Sequence, residues 1–223
     1  MKILYEPKGP ARELADLALN FATGCTKGCW YCYAPAQLRM SKKDFFSHSE
    51  PKKLVIYRLI ADLEYLQDRG DERKVFMSFT HDPLLPELWP LAKEIFSWLR
   101  TFKRPFKILT KFPEKLWEIN NEFGGIPGNE YGMTLTGVRD ANIEPILALD
   151  ELRQKTFISM EPVLDLGEIQ STLWYLKQEK YSGQIWIGRL NHSKKKPVSD
   201  VLWEDFKKDM FFDTLNIKFK QGS

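Results

Sequence analysis

Three cysteines stand within eight residues near the start of the chain, and the sequence contains no others. They are Cys25, Cys29 and Cys32, spaced as Cys-x3-Cys-x2-Cys. Thiolates this close in sequence are typical of a metal or iron–sulfur site. A [4Fe-4S] cube is usually held by four cysteine thiolates, so three ligands leave one iron open to a small molecule. Gly24 and Gly28 suit a tight loop whose backbone N–H groups approach the cluster sulfurs.

A zinc site, isolated buried thiols and a disulfide framework each account less well for the three cysteines. A zinc site takes four tetrahedral ligands, so one of His48, His81 or His192 would have to be the fourth, and none stands in a short ligand spacing. Single buried thiols without metal are common, but three in one glycine-flanked loop are hard to explain that way. An odd count and the lack of a secretory signal disfavour a disulfide framework.

The cysteine segment resembles the radical S-adenosylmethionine (SAM) superfamily, whose hallmark is Cys-x3-Cys-x-aromatic-Cys, with Tyr31 in the aromatic place. The resemblance implies that Cys25, Cys29 and Cys32 hold a [4Fe-4S] cluster and that Tyr31 lies against the adenine of SAM. It implies that the reduced cluster cleaves SAM to methionine and a 5'-deoxyadenosyl radical, which abstracts hydrogen from a substrate. An electron donor such as flavodoxin or ferredoxin is the implied partner.

Length and composition limit the classes of protein to which the chain can belong. With 223 residues, 43% of them hydrophobic, the sequence predicts a single domain over residues 1–223. No apolar stretch approaches the ~20 residues of a membrane span, so we expect no membrane association. Reduced thiols and the absence of a signal-like segment predict a cytoplasmic protein. The net charge of +3 is too small to indicate nucleic-acid binding by itself.

Short apolar runs alternate with longer amphipathic segments along the chain. The predicted strands are 17–23, 75–80, 106–110, 131–136, 156–160 and 184–188, and the predicted helices are 51–68, 87–101, 113–121, 143–152 and 166–178. Such alternation predicts parallel βαβ units with right-handed crossovers. Six units favour an α/β fold, a partial (βα)6 TIM-like barrel with short N- and C-terminal extensions. The resemblance implies the same barrel, with the cluster loop after the first strand.

Polar residues end several predicted strands, where barrel enzymes carry their functional groups. Thr80, His81 and Asp82 follow the second strand and offer acceptors for the SAM ammonium. In the alternative interpretation, Asp82 is a helix N-cap with Pro83 as the first helical residue. Lys111 follows the third strand and would neutralise a carboxylate or phosphate, unless it is an ordinary surface lysine.

The later strands add four candidates for cofactor binding. Thr134 and Thr136 end the fourth strand and would bond a ribose or a carboxylate. Glu161 ends the fifth and would meet a ribose hydroxyl or a cationic group, or pair with Arg189. Gly188 ends the sixth and permits the close backbone approach that adenine recognition requires.

Short sequence motifs resemble particular branches of the radical SAM superfamily. Residues 80–83 resemble the Ser/Thr-x-Asp-Pro turn of the spore photoproduct lyase-like branch, while residues 159–164, 187–188 and 218–222 resemble radical SAM proteins of phages and mobile elements. Photoproduct lyases use a separate cysteine as hydrogen donor, and all three cysteines here are assigned to the cluster. Photoproduct repair is therefore disfavoured, and neither a catalytic residue nor a substrate is assigned.

Basic residues interleaved with phenylalanines give one indication of a substrate class. Lys103, Arg104, Lys107 and Lys111 alternate with aromatic residues, and 194–196 is a lysine run. Such a segment would bind phosphates and stack bases, so a nucleic acid or nucleotide is one candidate substrate; the alternative is a solvated helix face. The rival class of function is a non-catalytic zinc- or Fe-S-binding interaction protein. The polar strand ends favour the enzyme.

Overall fold

The computed structural model describes residues 2–136, 142–190, 197–208 and 214–220, and they form a mixed α/β structure. The chain divides into two compact units, Met1–Glu130 and Tyr131–Ser223. A single domain over 1–223 stays a prediction. Within the described residues, no helix combines the length and the apolar character needed to cross a membrane.

Six strands lie in the first unit. In chain order they are β1 (Leu4–Tyr5), β2 (Leu17–Leu19), β3 (Ala22–Thr23), β4 (Glu50–Pro51), β5 (Val75–Met77) and β6 (Phe106–Thr110). The order is β1-β2-β5-β6, with β2, β5 and β6 parallel and β1 antiparallel at the edge. β3 and β4 form a separate antiparallel pair. The parallel strands are buried, as their continuous apolar runs predict.

The helices of this unit are α1 (Ala34–Gln37), α2 (Lys42–Ser47), α3 (Val55–Asp68), α4 (Trp89–Thr101) and α5 (Leu116–Phe123), with 3-10 turns at Gly9–Glu13, Pro86–Leu88 and Pro113–Lys115. α3 buries Leu59, Leu63 and Leu66 on one face, at helical spacing. On the same helix, Asp62 accepts hydrogen bonds from the backbone N–H groups of Ile3 and Leu4 at 2.6 and 2.8 Å. This carboxylate ties the edge strand β1 to the unit.

The second unit repeats the strand–helix pattern. Its strands are β7 (Glu130–Leu135), which starts at the last residue of the first unit, β8 (Lys155–Met160), β9 (Gln184–Ile187) and β10 (Asn216–Phe219), in the order β7-β8-β9-β10. β9 is parallel to both β8 and β10. Its helices are α6 (Glu144–Glu151), α7 (Leu166–Gln178) and α8 (Asp200–Lys208). Asp165 caps α7 by accepting the Glu168 N–H at 3.1 Å.

All six predicted strands are present, but the first one is broken. It splits into β2 and β3 around Asn20, whose side chain donates to the Tyr5 hydroxyl (2.7 Å) and accepts the Phe79 N–H (2.9 Å). These contacts join the end of β2 to the residues that follow β5. β1, β4, β10, α1, α2 and α8 were not predicted.

Candidate functional site

The loop that carries the cysteines leaves β3 and is held against the end of α2. Gly24 has φ +86°, and a Cβ there would lie 2.0 Å from the carbonyl oxygen of His48. Only glycine fits this close approach. The N–H of Cys25 donates to the Phe45 carbonyl at 2.9 Å. The α2 helix therefore fixes where the first thiol lies.

The three thiols are free, and two of them receive backbone donors. Cys25 is buried, and Cys29 and Cys32 are partly exposed. Burial raises the pKa of the Cys25 thiol to about 11, against hydrogen bonds from the backbone of Asp82 and Lys27 that lower it. Burial also raises the pKa of Cys32, against a backbone hydrogen bond from Ala34. Backbone N–H groups thus approach two of the cysteine sulfurs, and their approach to the sulfurs of a cluster stays a prediction.

The geometry of the thiols distinguishes between kinds of metal site. Among the residues with described positions, no three His, Cys, Asp or Glu side chains are grouped so that they could hold a metal ion. In a cube each thiolate binds a different iron, so its ligands need not converge on one point. Three free thiols on one loop, with N–H donors at two sulfurs, fit the chemistry of such a cluster. His192, a candidate zinc ligand, lies outside the described residues.

The turn after β5 fixes the protonation of His81. Ser78, at φ +67°, accepts the N–H groups of Thr80 (3.3 Å) and His81 (3.1 Å) on its hydroxyl oxygen. That hydroxyl lies 2.8 Å from His81 Nδ1, and because its oxygen already accepts two N–H groups, donation of its own proton to Nδ1 is the favoured assignment, which leaves the ring proton on Nε2. The buried Nε2 has no hydrogen-bond partner in the described part of the chain. In this tautomer His81 offers a donor at Nε2; the contact of the 80–82 turn with the SAM ammonium stays a prediction.

The ring of His81 is held neutral by its surroundings. It packs edge-on against Phe21, with ring centroids 4.5 Å apart. Burial, assisted by the charge of Lys52, lowers the pKa of His81 to about 3. The imidazole is thus a neutral hydrogen-bond donor over the physiological pH range.

Asp82 joins the ends of β5 and β6. Its Oδ1 accepts from the Leu84 N–H (3.0 Å) and the Thr110 hydroxyl (2.7 Å), and its Oδ2 accepts from the Lys111 N–H (2.6 Å). Burial raises the pKa of Asp82, and these hydrogen bonds oppose the rise. The helix N-cap interpretation is wrong, because α4 begins at Trp89. The backbone N–H of Asp82 meets the Cys25 thiol, so this turn lies beside the cysteine loop.

Lys111 and Tyr31 lie next to each other in the same unit. The Lys111 Nζ is 5.5 Å from the centroid of the Tyr31 ring. Burial raises the pKa of both the Cys32 thiol and the Asp82 carboxylate, and the charge of Lys111 opposes each rise. The first unit thus brings together the three thiols, Tyr31, the 78–82 turn and Lys111.

The candidates in the second unit have structural partners of their own. Glu161 forms an ion pair with Lys220, so the predicted pairing with Arg189 is wrong; Arg189 binds Asp200 at 2.6 Å. A Cβ on Gly188 would lie 3.1 Å from the Glu161 carboxyl group. Glycine at 188 therefore makes room for this carboxylate.

The two threonines of β7 and its end differ in burial. Thr134 is partly buried and Thr136 is buried, and the Thr136 carbonyl accepts the Leu164 N–H at 2.9 Å. Their hydroxyl roles toward a ligand stay predictions.

Two of the four cations in the basic segment before and within β6 are buried and bound within the protein. Arg104 and Lys107 are buried; Arg104 Nη1 donates to the carbonyl of Arg73 at 3.1 Å, and Lys107 lies 3.1 Å from Glu130. Phe106 is buried in the core. Arg104, Lys107 and Phe106 therefore give no support to a nucleic-acid substrate, which stays a prediction. The lysine run 194–196 lies outside the described residues.

Two important residues were missed in the sequence. Ser78 had a detectable signal, a serine three residues before a histidine at a strand end, where hydroxyl-to-backbone bonds are common. Lys220 stands in the 218–222 string noted in the sequence, but no signal indicated its role, because its partner Glu161 stands 59 residues earlier.

The chain is similar to known proteins in fold, and no family model matches it. Over 107 residues it is 34% identical to the uncharacterized protein ORF301 of Acidianus two-tailed virus, covering 42% of this chain and 34% of the viral protein. It superposes on a spore photoproduct lyase complexed with dinucleoside spore photoproduct, with TM-score 0.60 and 14% identity over 91% of this chain and 64% of that one.

A variant of that lyase with bound AdoMet and dinucleoside spore photoproduct gives TM-score 0.57 at 13% identity, again over 91% of this chain and 64% of the other. The chain spans a third of the viral relative and less than two thirds of these lyases. The likeness confirms the predicted fold class, an α/β partial (βα)6 TIM-like barrel with mostly parallel strands.

The buried neutral histidine predicts how stability depends on pH. The pKa of His81 is about 3 when folded against an ordinary value of 6.5, so the unfolded chain binds a proton in this window and the folded chain does not. Stability contributed by His81 is therefore lost as pH falls from about 6.5 to about 3, with a slope of roughly 1.4 kcal/mol per pH unit.

Urea unfolding of the wild type and of His81→Asn across this pH range measures the effect. Asparagine keeps an acceptor for the Ser78 hydroxyl but does not titrate there. We expect the difference in unfolding free energy between the two proteins to change with pH at that slope. A pH-independent difference would contradict a buried neutral ring.

Proposed function

We propose that this protein is a radical SAM enzyme with one [4Fe-4S] cluster held by Cys25, Cys29 and Cys32. The observation that carries the proposal is the cysteine loop itself. Three free thiols share one glycine-shaped loop, two of their sulfurs receive backbone N–H groups, and the loop lies beside the ends of parallel strands. When bound, the cluster would supply the electron that cleaves SAM to methionine and a 5'-deoxyadenosyl radical.

The surrounding side chains suit the methionyl end of SAM. In the tautomer with the proton on Nε2, His81 would donate to an acceptor such as a carboxylate oxygen, and the Lys111 ammonium would add positive charge near Cys32 and Tyr31. Asp82 holds Lys111 in place through its backbone N–H. Tyr31, beside Lys111, offers an aromatic face to adenine. Thr80 completes this set of expected contacts.

The four candidates of the second unit stay separate predictions. Thr134 and Thr136 remain candidates for bonding a ribose or carboxylate. Glu161 would be available to a ribose hydroxyl only with Lys220 as its neighbour, and Gly188 would act through the room it leaves for Glu161.

The substrate is unassigned. A nucleic acid or nucleotide stays a candidate, although the buried Arg104 and Lys107 remove the main charge argument for it. Cysteine is excluded as a second hydrogen donor if all three thiols bind the cluster. We infer a cytoplasmic enzyme from the oxygen sensitivity of such a cluster and the reduced state of its thiols.

Anaerobic reconstitution tests the proposal. We expect about four irons and four sulfides per chain, and slow release of 5'-deoxyadenosine when the reduced protein is given SAM and dithionite. Protein that contained zinc and no sulfide would instead support the alternative, a non-catalytic zinc-binding protein. An intact cluster that releases no 5'-deoxyadenosine would indicate a binding protein without catalysis.

A further inference from the structure

A glutamate that the proposed function leaves unused is hydrogen-bonded to the cysteine loop. Glu87 lies in the 3-10 turn Pro86–Leu88, which leads into α4. Its Oε1 accepts a hydrogen bond from the Thr26 hydroxyl at 2.5 Å. Thr26 follows Cys25 directly in the sequence. Glu87 therefore reaches the loop one residue away from the first thiol.

Ser49 connects the same two residues. It follows His48, the C-cap residue of α2. Its hydroxyl oxygen accepts the Thr26 N–H at 3.3 Å, and its hydroxyl group hydrogen-bonds to Glu87. A hydroxyl can accept one hydrogen bond and donate another, whereas an ionised carboxylate can only accept, so Thr26 and Ser49 both donate to Glu87. The three residues come from three separate segments of the chain and close a ring of hydrogen bonds, which we call the Glu87 ring.

The Glu87 carboxylate is ionised at neutral pH. Partial desolvation raises the pKa of Glu87, but hydrogen bonds from Thr26, from its own backbone N–H and from Ser49 lower it, and the net pKa lies below its ordinary value. Hydrogen bonds to an ionised group are stronger than those between neutral groups. Among the described residues, no cation forms an ion pair with Glu87. Thr26 and Ser49 are therefore the side chains that its charge binds.

The Glu87 ring gives Cys25 a second anchor. The first anchor is α2, because the Cys25 N–H donates to the Phe45 carbonyl at 2.9 Å. After Cys25 the loop turns back through a hydrogen bond from the Gly28 N–H to the Cys25 carbonyl at 3.4 Å. Through Thr26, the ring ties this turn to Glu87, between β5 and α4. Two separate parts of the first unit thus hold Cys25.

We propose that Glu87 is a positioning residue for the iron–sulfur cluster, and this inference rests on the proposed function. Through Thr26 and Ser49, Glu87 holds Cys25 in the place from which its thiolate binds iron. Cys25 is the buried thiol of the three, so its position depends on the loop more than that of the partly exposed Cys29 or Cys32. A loop that is ordered before the cluster arrives loses less conformational entropy when the cluster binds. Glu87 acts through Thr26 and binds no iron itself.

Variants of the Glu87 ring have a matched control in the same unit. Glu87→Ala removes the carboxylate, and Thr26→Val removes the hydroxyl donor but keeps the shape of the side chain. Thr26→Ser keeps the donor and should restore the wild-type behaviour. Glu114→Ala is the control, because Glu114 is an exposed glutamate at the same second position of the 3-10 turn Pro113–Lys115, which leads into α5. Both alanine variants remove an acid close to a helix start, so any effect of the helix dipole is matched.

Alkylation of the thiols by iodoacetamide tests the positioning without a cluster. The full-length chain is reduced and kept metal-free, and the rate at each cysteine is measured by mass spectrometry of its peptides. A buried thiol reacts when its loop opens. We expect the rate at Cys25, relative to Cys32, to rise about tenfold in Glu87→Ala and in Thr26→Val. An unchanged ratio in either of these variants, or an equal rise in Thr26→Ser or Glu114→Ala, would overturn the proposal.

Iron retention after anaerobic reconstitution separates this inference from the proposed function. The chelator EDTA should remove iron about tenfold faster from Glu87→Ala than from the wild type or Glu114→Ala. Equal rates of iron loss would overturn the role of Glu87 toward the cluster. A wild type that took up no iron and sulfide would count against the radical SAM proposal, and the alkylation rates would still decide whether Glu87 holds Cys25.

Discussion

Replacing any one of Cys25, Cys29 and Cys32 with alanine should abolish the stable iron–sulfur cluster and all 5'-deoxyadenosine release. Three thiolates are the fewest that leave a single open iron, and the chain has no fourth cysteine to substitute. The measurement is iron and acid-labile sulfide per chain after anaerobic reconstitution, with the visible absorption of the cluster. We expect the loss to be complete for each of the three variants.

Tyr33→Phe is the matched control for the cysteine variants. Tyr33 stands next to Cys32, and its hydroxyl donates to the Phe79 carbonyl at 2.7 Å, but it supplies no thiolate. This variant should keep its iron and sulfide. A cysteine variant that retained about four irons per chain would show that the thiols are not the ligands.

The strands could be predicted because most of them are buried in the interior. Continuous apolar runs such as 106–110 and 156–160 appear in the structure as β6 and β8 with little change in bounds. β1 was missed because a strand of two residues leaves almost no periodic signal. β10 is as long as β9, but it alternates exposed and partly buried residues and so lacks the continuous apolar run by which the other strands were predicted. The break at Asn20 depends on Tyr5 and Phe79, both distant in sequence, so no local pattern could reveal it.

The candidate site could be predicted by residue type but not by role. The cysteine spacing and the polar residue at the end of each strand are local features, and the first unit does bring Tyr31, Asp82 and Lys111 to the cysteine loop. The tautomer of His81 required the position of the Ser78 hydroxyl. The partner of Glu161 required the chain to return at Lys220. Roles of this kind depend on tertiary contacts.

Runs of basic residues were the least reliable of the sequence features used to predict function. Arg104 and Lys107 looked like exposed cations, because lysine and arginine are rarely buried without partners. Their partners are Asp71 and Glu130, more than twenty residues away in the sequence. Lys42 and Lys43 are the opposite case: both are exposed, and neither is paired with an acid among the described residues. A charge run therefore indicates a binding surface only after its partners are known.

Removing the charge of Glu130 should cause a large loss of stability. Its carboxylate is buried and forms ion pairs with Lys74 and Lys107, of which Lys107 is also buried. Glu130→Gln keeps the size of the side chain but removes the negative charge that both lysines face. Breaking a buried ion pair in this way costs about 3–5 kcal/mol. Urea unfolding at neutral pH measures the loss.

Two further variants serve as a control and a rescue for Glu130→Gln. Glu118→Gln removes an exposed partner of Lys93, which is also paired with Glu122, and should cost under about 1 kcal/mol. Lys107→Met added to Glu130→Gln removes the more deeply buried of the two lysine charges, so the double variant should recover part of the stability. If Glu130→Gln cost no more than Glu118→Gln, water would have to reach this ion pair freely, contrary to the burial of both Lys107 and Glu130. Because a buried cation is unfavourable only when its counter-charge is absent, recovery in the double variant would identify Lys107 as the source of the loss.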